Sequence, residues 1–391
     1  MQIHILMIIG IDLGTTHSLS AAWIDGHAQL IPNALGAFLT PSCVSMEADG
    51  SILVGQAARE RLQSHPDRTA ATFKRAMGTA KVFHLGPKIF RAEELSAFVL
   101  RALRLDAEAM LGEPVKQTVI TVPAYFSDVQ RQATRSAGLL AGFDRVSLLN
   151  EPTAAALAYG LHQKSPETQF LVFDFGGGTF DVSILEIFED VMEVRATAGD
   201  NHLGGEDVDE LLANAFAKSA GLTALMESDT LLRAQVRAVA EGAKLALATR
   251  DEVEVAIHVK GQLHQRTYAL ADMEALLEPL LLRLRLPVER ALRDAHVRPE
   301  QLAAVVLAGG STRLRSVRQL VTRMFGRFPE TALNPDEIVA LGAAVQAGLQ
   351  AKDASLAERV MTDVCPYTLG INTSNEVSPG RQVTGFMAPV L

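Results

Sequence analysis

The stretch that decides the fold is Phe170-Leu-Val-Phe-Asp-Phe-Gly-Gly-Gly-Thr-Phe-Asp-Val-Ser183. An apolar run ends at Asp174, three glycines follow, and an alternating strand pattern resumes at Thr179. This order predicts a β-hairpin with a glycine tip. Because glycine has no Cβ, N–H groups at the tip can approach a phosphate closely, and the carboxylate and hydroxyl beside it can hold a hydrated metal ion. Taken alone, the stretch is equally compatible with a tight hairpin that simply requires glycine.

A second copy of the pattern lies near the N-terminus, in Ile8-Ile-Gly-Ile-Asp-Leu-Gly-Thr-Thr-His-Ser-Leu19. An apolar strand again leads through an Asp, a Gly and a Thr into a second apolar strand. The repetition predicts two related halves whose hairpins face each other and grip one nucleotide at their interface. Asp12 and Asp174 would then converge on one metal ion. Mg²⁺ suits this arrangement because it keeps most of its waters and takes phosphates as its other ligands.

The length and composition of the chain limit its class. With 391 residues, the chain is long for a single core and predicts two domains or two large lobes. A hydrophobic fraction of 48% and a charged fraction of 21% are typical of a soluble globular protein. The net charge of -9 argues against a nucleic-acid-binding surface, since such modules are usually basic.

Two further features bear on where the protein acts. Cys43 and Cys365 are its only cysteines, and their placement indicates neither a disulfide framework nor a metal site. The apolar run from Ile3 to Leu13 lacks the basic flank and cleavage site of a signal peptide. No stretch approaches the roughly 18 apolar residues of a membrane span. We therefore expect a cytoplasmic protein whose partners include neither nucleic acid nor a membrane.

The segments between the two hairpins predict alternating strands and helices. Helical periodicity runs from Ala92 to Leu111, and an apolar strand then ends at Pro123. Ser127 is placed to cap a helix through Ala141. Strand, loop and helix in this order indicate an α/β unit.

Four candidate site residues could have an ordinary structural role instead of a functional one. Lys74 by itself is typical of a solvated surface lysine. Glu151 precedes a predicted helix, where its carboxylate would either complement the helix dipole or point into a cleft. Glu241 and Lys244, three residues apart on one predicted helix, would form either an intrahelical ion pair or two contacts to a ribose.

The second half of the chain repeats the theme of a strand followed by glycines. The run Ala303-Ala-Val-Val-Leu-Ala-Gly-Gly-Ser-Thr-Arg313 leads into a helix that Gly326 is placed to end. A nucleotide would lie against the two glycines and the N-terminus of that helix, with the arginine stacked on the base. The preceding segment, 272–296, predicts a helix interrupted at Pro279 and Pro287.

Together these motifs resemble the seventy-kilodalton heat-shock (DnaK-type) chaperone family. The matching motifs, in the family's order, are Gly10-Ile-Asp-Leu-Gly-Thr-Thr16, Val122-Pro-Ala-Tyr-Phe126, Asn150-Glu-Pro-Thr-Ala-Ala-Ala156, Phe173-Asp-Phe-Gly-Gly-Gly-Thr-Phe-Asp-Val182, Leu203-Gly-Gly-Glu-Asp207, Gly309-Gly-Ser-Thr-Arg313 and Asn334-Pro-Asp-Glu337. The resemblance covers residues 8 to about 371. Four further segments look most like the bacterial HscC branch: Ile31-Pro-Asn33, Phe73-Lys-Arg-Ala-Met-Gly78, Ala340-Leu-Gly-Ala-Ala-Val-Gln346 and Thr362-Asp-Val-Cys-Pro-Tyr367.

The resemblance implies an α/β, actin-like ATPase (ribonuclease H-like) fold with two lobes, each of two subdomains, around a nucleotide cleft. It places the ATPase domain at 1–357, an interdomain linker at 358–366, and the truncated start of a β-sandwich peptide-binding domain at 367–391. Within the ATPase domain, lobe I comprises about 1–160 plus the C-terminal helix at about 335–350, and lobe II comprises about 161–334.

The resemblance also implies hydrolysis of ATP to ADP and phosphate, with Mg²⁺ and K⁺ as cofactors. It assigns catalysis to Lys74, Glu151, Asp174 and Thr179, with Lys74 positioning the attacking water. It assigns metal binding to Asp12, Asp174 and, for K⁺, Asp181. It assigns nucleotide binding to Gly14, Thr15, Thr16, Gly176, Gly177, Gly178, Gly204, Gly205, Glu241, Lys244, Gly309, Gly310, Ser311, Arg313 and Asp336. Pro123 and Arg131 resemble the family's interlobe switch.

The implied partners are a J-domain co-chaperone, unfolded or specific client peptides and a nucleotide exchange factor. Three departures from the family pattern modify this expectation. Leu245 stands where an arginine commonly sandwiches the adenine, so one face of the base would rest on an aliphatic surface. Ser147 replaces a basic residue that helps to dock J-domain partners. Thr362 interrupts the apolar run of the linker, which predicts weaker coupling between domains.

Two other classes of protein share the expected architecture. A small-molecule kinase of the actin superfamily would need an acceptor pocket with its own general base, and the sequence offers no separate candidate. An actin-like assembly protein would use ATP to control polymerisation, against which the Asn150-Glu-Pro-Thr153 block and the linker argue. The sequence therefore favours a chaperone ATPase.

Overall fold

The computed structural model describes six ranges of the chain: 7–160, 167–188, 191–356, 360–363, 370–378 and 381–389. The remaining parts of the predicted linker and peptide-binding segment, including Cys365, lie outside the described residues.

Strands and helices alternate along most of the chain. The strands are β1 (Ile8–Asp12), β2 (His17–Ile24), β3 (His27–Ile31), β4 (Thr40–Pro41), β5 (Cys43–Met46), β6 (Ile52–Val54), β7 (Thr69–Ala71), β8 (Val82–Leu85), β9 (Lys88–Arg91), β10 (Gln117–Val122), β11 (Arg145–Asn150), β12 (Glu167–Phe175), β13 (Phe180–Phe188), β14 (Val191–Asp200), β15 (Glu252–Val259), β16 (Gln262–Ala269), β17 (Ala304–Ala308), β18 (Val360–Thr362), β19 (Gly370–Ser378) and β20 (Arg381–Pro389). The α-helices are α1 (Gln56–Glu60), α2 (Ala92–Leu111), α3 (Asp128–Leu140), α4 (Glu151–Gly160), α5 (Gly205–Ser219), α6 (Thr223–Ser228), α7 (Thr230–Leu247), α8 (Leu270–Asp294), α9 (Arg315–Phe325) and α10 (Ile338–Gln350).

Two mixed sheets dominate the fold and share one arrangement. In the first sheet the strand order is β11-β10-β1-β2-β3, with β4 paired to β2; in the second it is β17-β12-β13-β14-β18. Each sheet contains an antiparallel three-strand meander whose first strand pairs in parallel with a later strand. The predicted hairpins are therefore confirmed as β1–β2 and β12–β13, and the internal repetition in the sequence corresponds to the repeated sheet topology.

Helices α4 and α10 pack against each other between the two sheets. Gly342 of α10 lies so close to α4 that an added Cβ would stand 1.7 Å from the carbonyl oxygen of Ala154. Gly10 of β1 also approaches α10 closely, since its Cβ would lie 2.3 Å from the backbone of Ala343. Small residues at these crossings let the two elements approach closely, and they fix where the ends of the central strands meet.

The predicted interruption of the helix at residues 272–296 is wrong. Helix α8 continues through both Pro279 and Pro287. Each proline removes one backbone hydrogen bond. The buried stripe of the helix, which includes Leu277, Leu284 and Val288, packs into the core beside the second sheet. Burial of this apolar face outweighs the local penalty, because tertiary packing supplies most of the stability of helices in proteins.

The C-terminal strands extend the fold beyond α10. Strand β18 pairs in parallel with β14, with Val360 opposite Val191 and Thr362 opposite Glu193. Strands β19 and β20 form an antiparallel pair. The linker predicted from the sequence thus contains a strand that lies on the edge of the second sheet.

Candidate active site

A cavity of about 430 Å³ lies between the tips of the two hairpins. Its size is in the range of cavities that hold small molecules and cofactors. Of the residues that the sequence suggested, the cavity is lined by Asp12, Gly14, Thr15, Thr16, Lys74, Glu151, Asp174, Gly176, Gly177, Thr179, Gly205, Glu241, Lys244, Gly309, Gly310, Ser311, Arg313 and Asp336. Segments far apart in the sequence therefore converge on one cavity.

Glycine is required at both hairpin tips because the backbones approach so closely there. A Cβ on Gly14 would lie 1.9 Å from the carbonyl oxygen of His17, and one on Gly177 would lie 2.6 Å from the side chain of Thr16. The two tips thus face each other across the cleft. Within the tips, the Gly14 N–H donates to Ser18 Oγ at 3.2 Å and the Gly176 N–H donates to the Thr179 carbonyl at 3.1 Å.

Gly178 and Gly204, both predicted to bind nucleotide, are not among the residues that line the cavity. A Cβ on Gly204 would stand 2.4 Å from the backbone of Gly177, so this glycine allows the start of α5 to pack on the second hairpin tip. The tip carbonyls of Gly176 and Gly177 accept hydrogen bonds from the first N–H groups of α5 at 3.0 and 2.8 Å. Part of the glycine pattern therefore serves to support the tip.

Lys74 and Glu151 form a buried ion pair on the cavity wall. The Lys74 Nζ donates to Glu151 Oε1 at 2.6 Å, and the two side chains are only 4% and 9% exposed. The surface interpretation of Lys74 is therefore wrong. Glu151 is the first residue of α4 and also faces the cavity, so both alternatives for it describe part of its position. A buried pair of this kind is costly to break, because removal of one partner leaves the other charge unpaired.

The carboxylates around this pair outnumber the nearby cations. Burial, followed by the charge of Glu151, raises the pKa of Asp12 to about 7. The same two causes, in the same order, raise the pKa of Asp174 well above its usual range. They also raise the pKa of Asp181 to about 8. The site therefore disfavours further negative charge unless a cation is added.

This donor set fits a hydrated Mg²⁺. Asp12 and Asp174 supply hard oxygen ligands, and Mg²⁺ is usually held by one or two carboxylates with waters and substrate phosphates completing its shell. Within the ranges that the structure describes, no group of three or more His, Cys, Asp or Glu side chains forms a closed metal cage. Asp181 does not line the cavity, and its buried Oδ1 has no hydrogen-bond partner among those same residues.

On the α7 side of the cavity, Glu241 and Lys244 do not pair with each other. Glu241 accepts from Arg59 at 2.5 Å, whereas Lys244 donates to Asp209 at 2.7 Å. The predicted intrahelical ion pair is therefore wrong, although both side chains do line the cavity.

The turn after β17 is also held by polar contacts. Ser311 Oγ donates to the carbonyl of Gly176 at 2.8 Å, which ties this turn to the second hairpin tip. Arg313 donates from Nε to Asp336 at 2.7 Å and from its terminal nitrogen to Asn334 at 2.6 Å. Its guanidinium group is thus engaged at the rim of the cavity, and its predicted stacking on a base remains a prediction.

Two contacts that the sequence did not reveal cross the cleft. Arg59, from α1, reaches Glu241 of α7. Arg75 donates to the carbonyl of Gly178 at 3.0 Å and forms an ion pair with Asp207. Arg75 directly follows Lys74 in a recognised motif, which could have suggested a role, whereas Arg59 lies in a helix without any such signal.

The cavity also contains side chains that sequence reasoning missed. His17, Leu39, Leu314 and Val339 belong to this group. His17 directly follows the first hairpin tip, so its position in the motif could have indicated it. The other three carry no chemical signature in the sequence.

The predicted switch residues lie away from the cavity wall. Arg131 donates to Asn150 Oδ1 at 2.7 Å and to the carbonyl of Ala124, in the loop after Pro123. Asn150 Nδ2 in turn donates to Asp363 at 2.8 Å. The two residues therefore belong to a region that joins the end of β10, the start of α4 and the linker.

These features define an α/β protein with mixed sheets and a candidate nucleotide-binding cleft, in agreement with an actin-like ATPase fold. The family model described as "Hsp70 protein" matches residues 8–85 and 80–383. The chain belongs to the Hsp70 family.

Several curated relatives carry the name "Chaperone protein DnaK". The protein of Thermosipho melanesiensis is 44% identical over 378 residues, which are 93% of this chain and 63% of that relative. The protein of Thermotoga petrophila is 45% identical over 379 residues, with the same shares covered. That of Cenarchaeum symbiosum is 42% identical over 380 residues, 94% of this chain and 58% of the relative. The chain thus spans about 63% of the length of the first two relatives. Among the helices that the structure describes, none is long and apolar enough to cross a membrane.

Proposed function

We propose that this chain is the ATPase domain of an Hsp70 chaperone, which hydrolyses ATP to ADP and phosphate and couples its nucleotide state to peptide binding by a following domain. The observation that carries the proposal is the buried Lys74–Glu151 pair, which lines the same cavity as Asp12 and Asp174. The names of the relatives support a chaperone. A small-molecule kinase and an assembly protein are not favoured by the family match.

The chemistry proposed for the cavity is phosphoryl transfer to water by positioning and charge neutralisation. The two hairpin tips, with Thr15, Thr16 and Thr179, hold the phosphates. Glu151 orients a water in line with the γ-phosphorus, and Lys74 neutralises charge that develops on the γ-phosphate oxygens. As the water oxygen bonds to phosphorus, the bond to the β–γ bridging oxygen breaks, ADP leaves, and the second proton of the water passes to an oxygen of the released phosphate.

Other residues of the cavity would hold the metal ion and the adenosine. Asp12 and Asp174 would hold Mg²⁺, which when bound neutralises charge on the phosphates. The unpartnered, buried Oδ1 of Asp181 supports a K⁺ site beside them. Glu241 and Lys244 would contact the ribose from α7.

Finer features of the proposal rest on the resemblance. They comprise two lobes of two subdomains each, membership of the HscC branch, a cytoplasmic location, and a J-domain co-chaperone, a client peptide and an exchange factor as partners. The pairing of β18 with β14 supports a linker that docks on the second sheet and communicates with a following domain. Ser147, which donates to Gln350 at 3.2 Å, lies where a basic docking residue would be expected, so the J-domain partner would use other contacts there.

The test is single-turnover hydrolysis of ATP by the wild-type chain and by Lys74→Ala. We expect Lys74→Ala to bind ATP but to hydrolyse it at least about tenfold more slowly, a loss of about 1.4 kcal/mol of transition-state stabilisation. Lys81→Ala, which alters an exposed lysine of the following segment, is the matched control and should hydrolyse at the wild-type rate. Hydrolysis by Lys74→Ala at the wild-type rate would remove Lys74 from the catalytic group. Absence of hydrolysis by the wild-type chain would overturn the proposed function itself.

A further inference from the structure

Two large apolar side chains are exposed in the cavity, one on each wall. Leu39, on the side of the first sheet, is 37% exposed, and Leu245 of α7 is 61% exposed. Exposed apolar surface inside a cavity is unfavourable in water and is relieved when an apolar ligand surface covers it. The position of these leucines therefore points to an apolar part of a ligand.

Leu39 is held in place by a rigid loop. The Asn33 side chain accepts from the N–H groups of Leu35 and Ala37 at 3.0 and 3.1 Å, and it donates to the carbonyl of Leu39 at 3.3 Å. The turn passes through Gly36 at φ 78, a conformation that glycine adopts without strain. One asparagine thus fixes both ends of the loop. Leu39 is therefore already positioned at the cavity, and the loop loses little conformational entropy when a ligand binds.

The cavity is chemically divided. The tip glycines, Lys74 and the carboxylates make one region polar. Leu245 and Ala248, at the end of α7, are apolar, and Leu314 lies near them because the neighbouring Arg315 donates to the Ala248 carbonyl at 3.1 Å; Leu39 lines the same cavity. A nucleotide whose phosphates lie at the hairpin tips would place its base, its least polar part, against these residues.

We propose that Leu39 binds the base of the nucleotide, and that together with Leu245 it forms an apolar clamp that limits the rate of nucleotide release. This inference rests on the proposed function and goes beyond it, because it assigns retention of the base to the loop at 33–39.

The experiment compares ADP with ribose 5-diphosphate, which has the same phosphates and sugar but no base. Affinities are measured by calorimetry, and release of a fluorescent ADP is followed after a chase with unlabelled ADP. The variants are Leu39→Ser and, as a conservative rescue, Leu39→Met. The matched control is Leu35→Ser in the same loop, since Leu35 is 74% exposed and does not line the cavity.

We expect Leu39→Ser to release ADP about fivefold faster and to bind it about fivefold more weakly, because apolar contact with the base is lost. Its affinity for ribose 5-diphosphate, which has no base, should stay within about twofold of the wild-type value. Leu39→Met should restore ADP retention, and Leu35→Ser should match the wild-type chain.

Two results would overturn the inference alone. One is ADP affinity and release in Leu39→Ser that match those of Leu35→Ser. The other is an equal loss of affinity for ADP and for ribose 5-diphosphate, which would mean that Leu39 acts on the phosphate region or on the fold. If the wild-type chain binds neither ligand, the proposed function fails, and this inference fails with it.

Discussion

His17 is a cavity residue whose pKa is lowered on folding. Burial, and secondly the charge of Arg59, lowers its pKa from 6.5 to about 4. Its Nε2 lies 3.4 Å from Nη1 of Arg59. The other terminal nitrogen of Arg59, Nη2, donates to Glu241 on the other side of the cleft. A neutral imidazole can accept from the guanidinium group, whereas a protonated one would repel it.

The sign of the resulting pH dependence follows from the lowered pKa. Between about pH 6.5 and 4 the unfolded chain binds a proton at His17 and the folded chain does not, so this residue's contribution to stability is lost as the pH falls. The loss should be about 2 kcal/mol between pH 7 and pH 5. We expect the free energy of unfolding of His17→Gln, measured with denaturant, to fall by about 2 kcal/mol less than that of the wild-type chain over this range.

His84→Gln, which alters an exposed histidine of β8, is the control and should keep the wild-type response to acid. Groups with raised pKa values, such as Asp12, change stability in the opposite direction, but they are present in all three proteins and cancel in the comparison. Equal acid destabilisation of His17→Gln and the wild-type chain would contradict the prediction.

The residue pattern alone could predict only part of the site. Asp12 and Asp174 were found because each lies two residues before the first glycine of a hairpin tip, a short-range signal. The partner of Lys74 is 77 residues away in the chain, so no local pattern could show that this lysine is buried. Only the resemblance of its motif to a family indicated it. Leu39 was missed because a leucine in a loop has no chemical signature.

The α4–α10 crossing is the closest contact between helices described above, and it offers a sharp test of packing. Because a Cβ on Gly342 would stand 1.7 Å from the Ala154 carbonyl oxygen, Gly342→Ala must push the two helices apart. We expect a loss of about 3 kcal/mol in the free energy of unfolding. A denaturant titration followed by circular dichroism measures this change.

Gly242→Ala is the matched control, since Gly242 lies within α7 and an added Cβ there would meet no atom within 4 Å. That substitution should raise stability by about 0.5–1 kcal/mol, because alanine loses less backbone entropy than glycine in a helix. If the two variants proved equally stable, the close approach of α4 and α10 would not be a determinant of the fold.

At the level of helices and strands, most of the architecture was predictable because its signals are local. The alternation from Thr179 onwards predicted β13, and Ser127 predicted the start of α3, where its hydroxyl does accept from the Gln130 N–H. Helix α8 was mispredicted because the proline rule is local, whereas the packing of Leu277 and Leu284 depends on the sheet beneath them. Local rules fail where distant partners supply the larger energy.

Across the molecule as a whole, a series of contacts connects the predicted linker to the cavity. Asp363, which follows β18, accepts from Asn150 Nδ2 at 2.8 Å and from Thr153 Oγ1 at 2.7 Å. Asn150 directly precedes Glu151, the partner of Lys74. Docking of β18 on β14 therefore involves the same helix start that forms the cavity wall.

Replacement of Asp363 should release the linker strand without unfolding the domain. Asp363→Ala removes the charge-assisted hydrogen bonds to Asn150 and Thr153 but keeps the backbone pairing of β18 with β14. We expect amide hydrogen exchange in the segments 360–362 and 191–193 to become about tenfold faster, which corresponds to about 1.4 kcal/mol of local stability. Asp353→Ala, ten residues upstream, removes a carboxylate that bonds to nearby Ser355 and should leave this exchange unchanged. Wild-type exchange rates in Asp363→Ala would show that β18 stays paired without the Asp363 contacts, and would separate its docking from the start of α4.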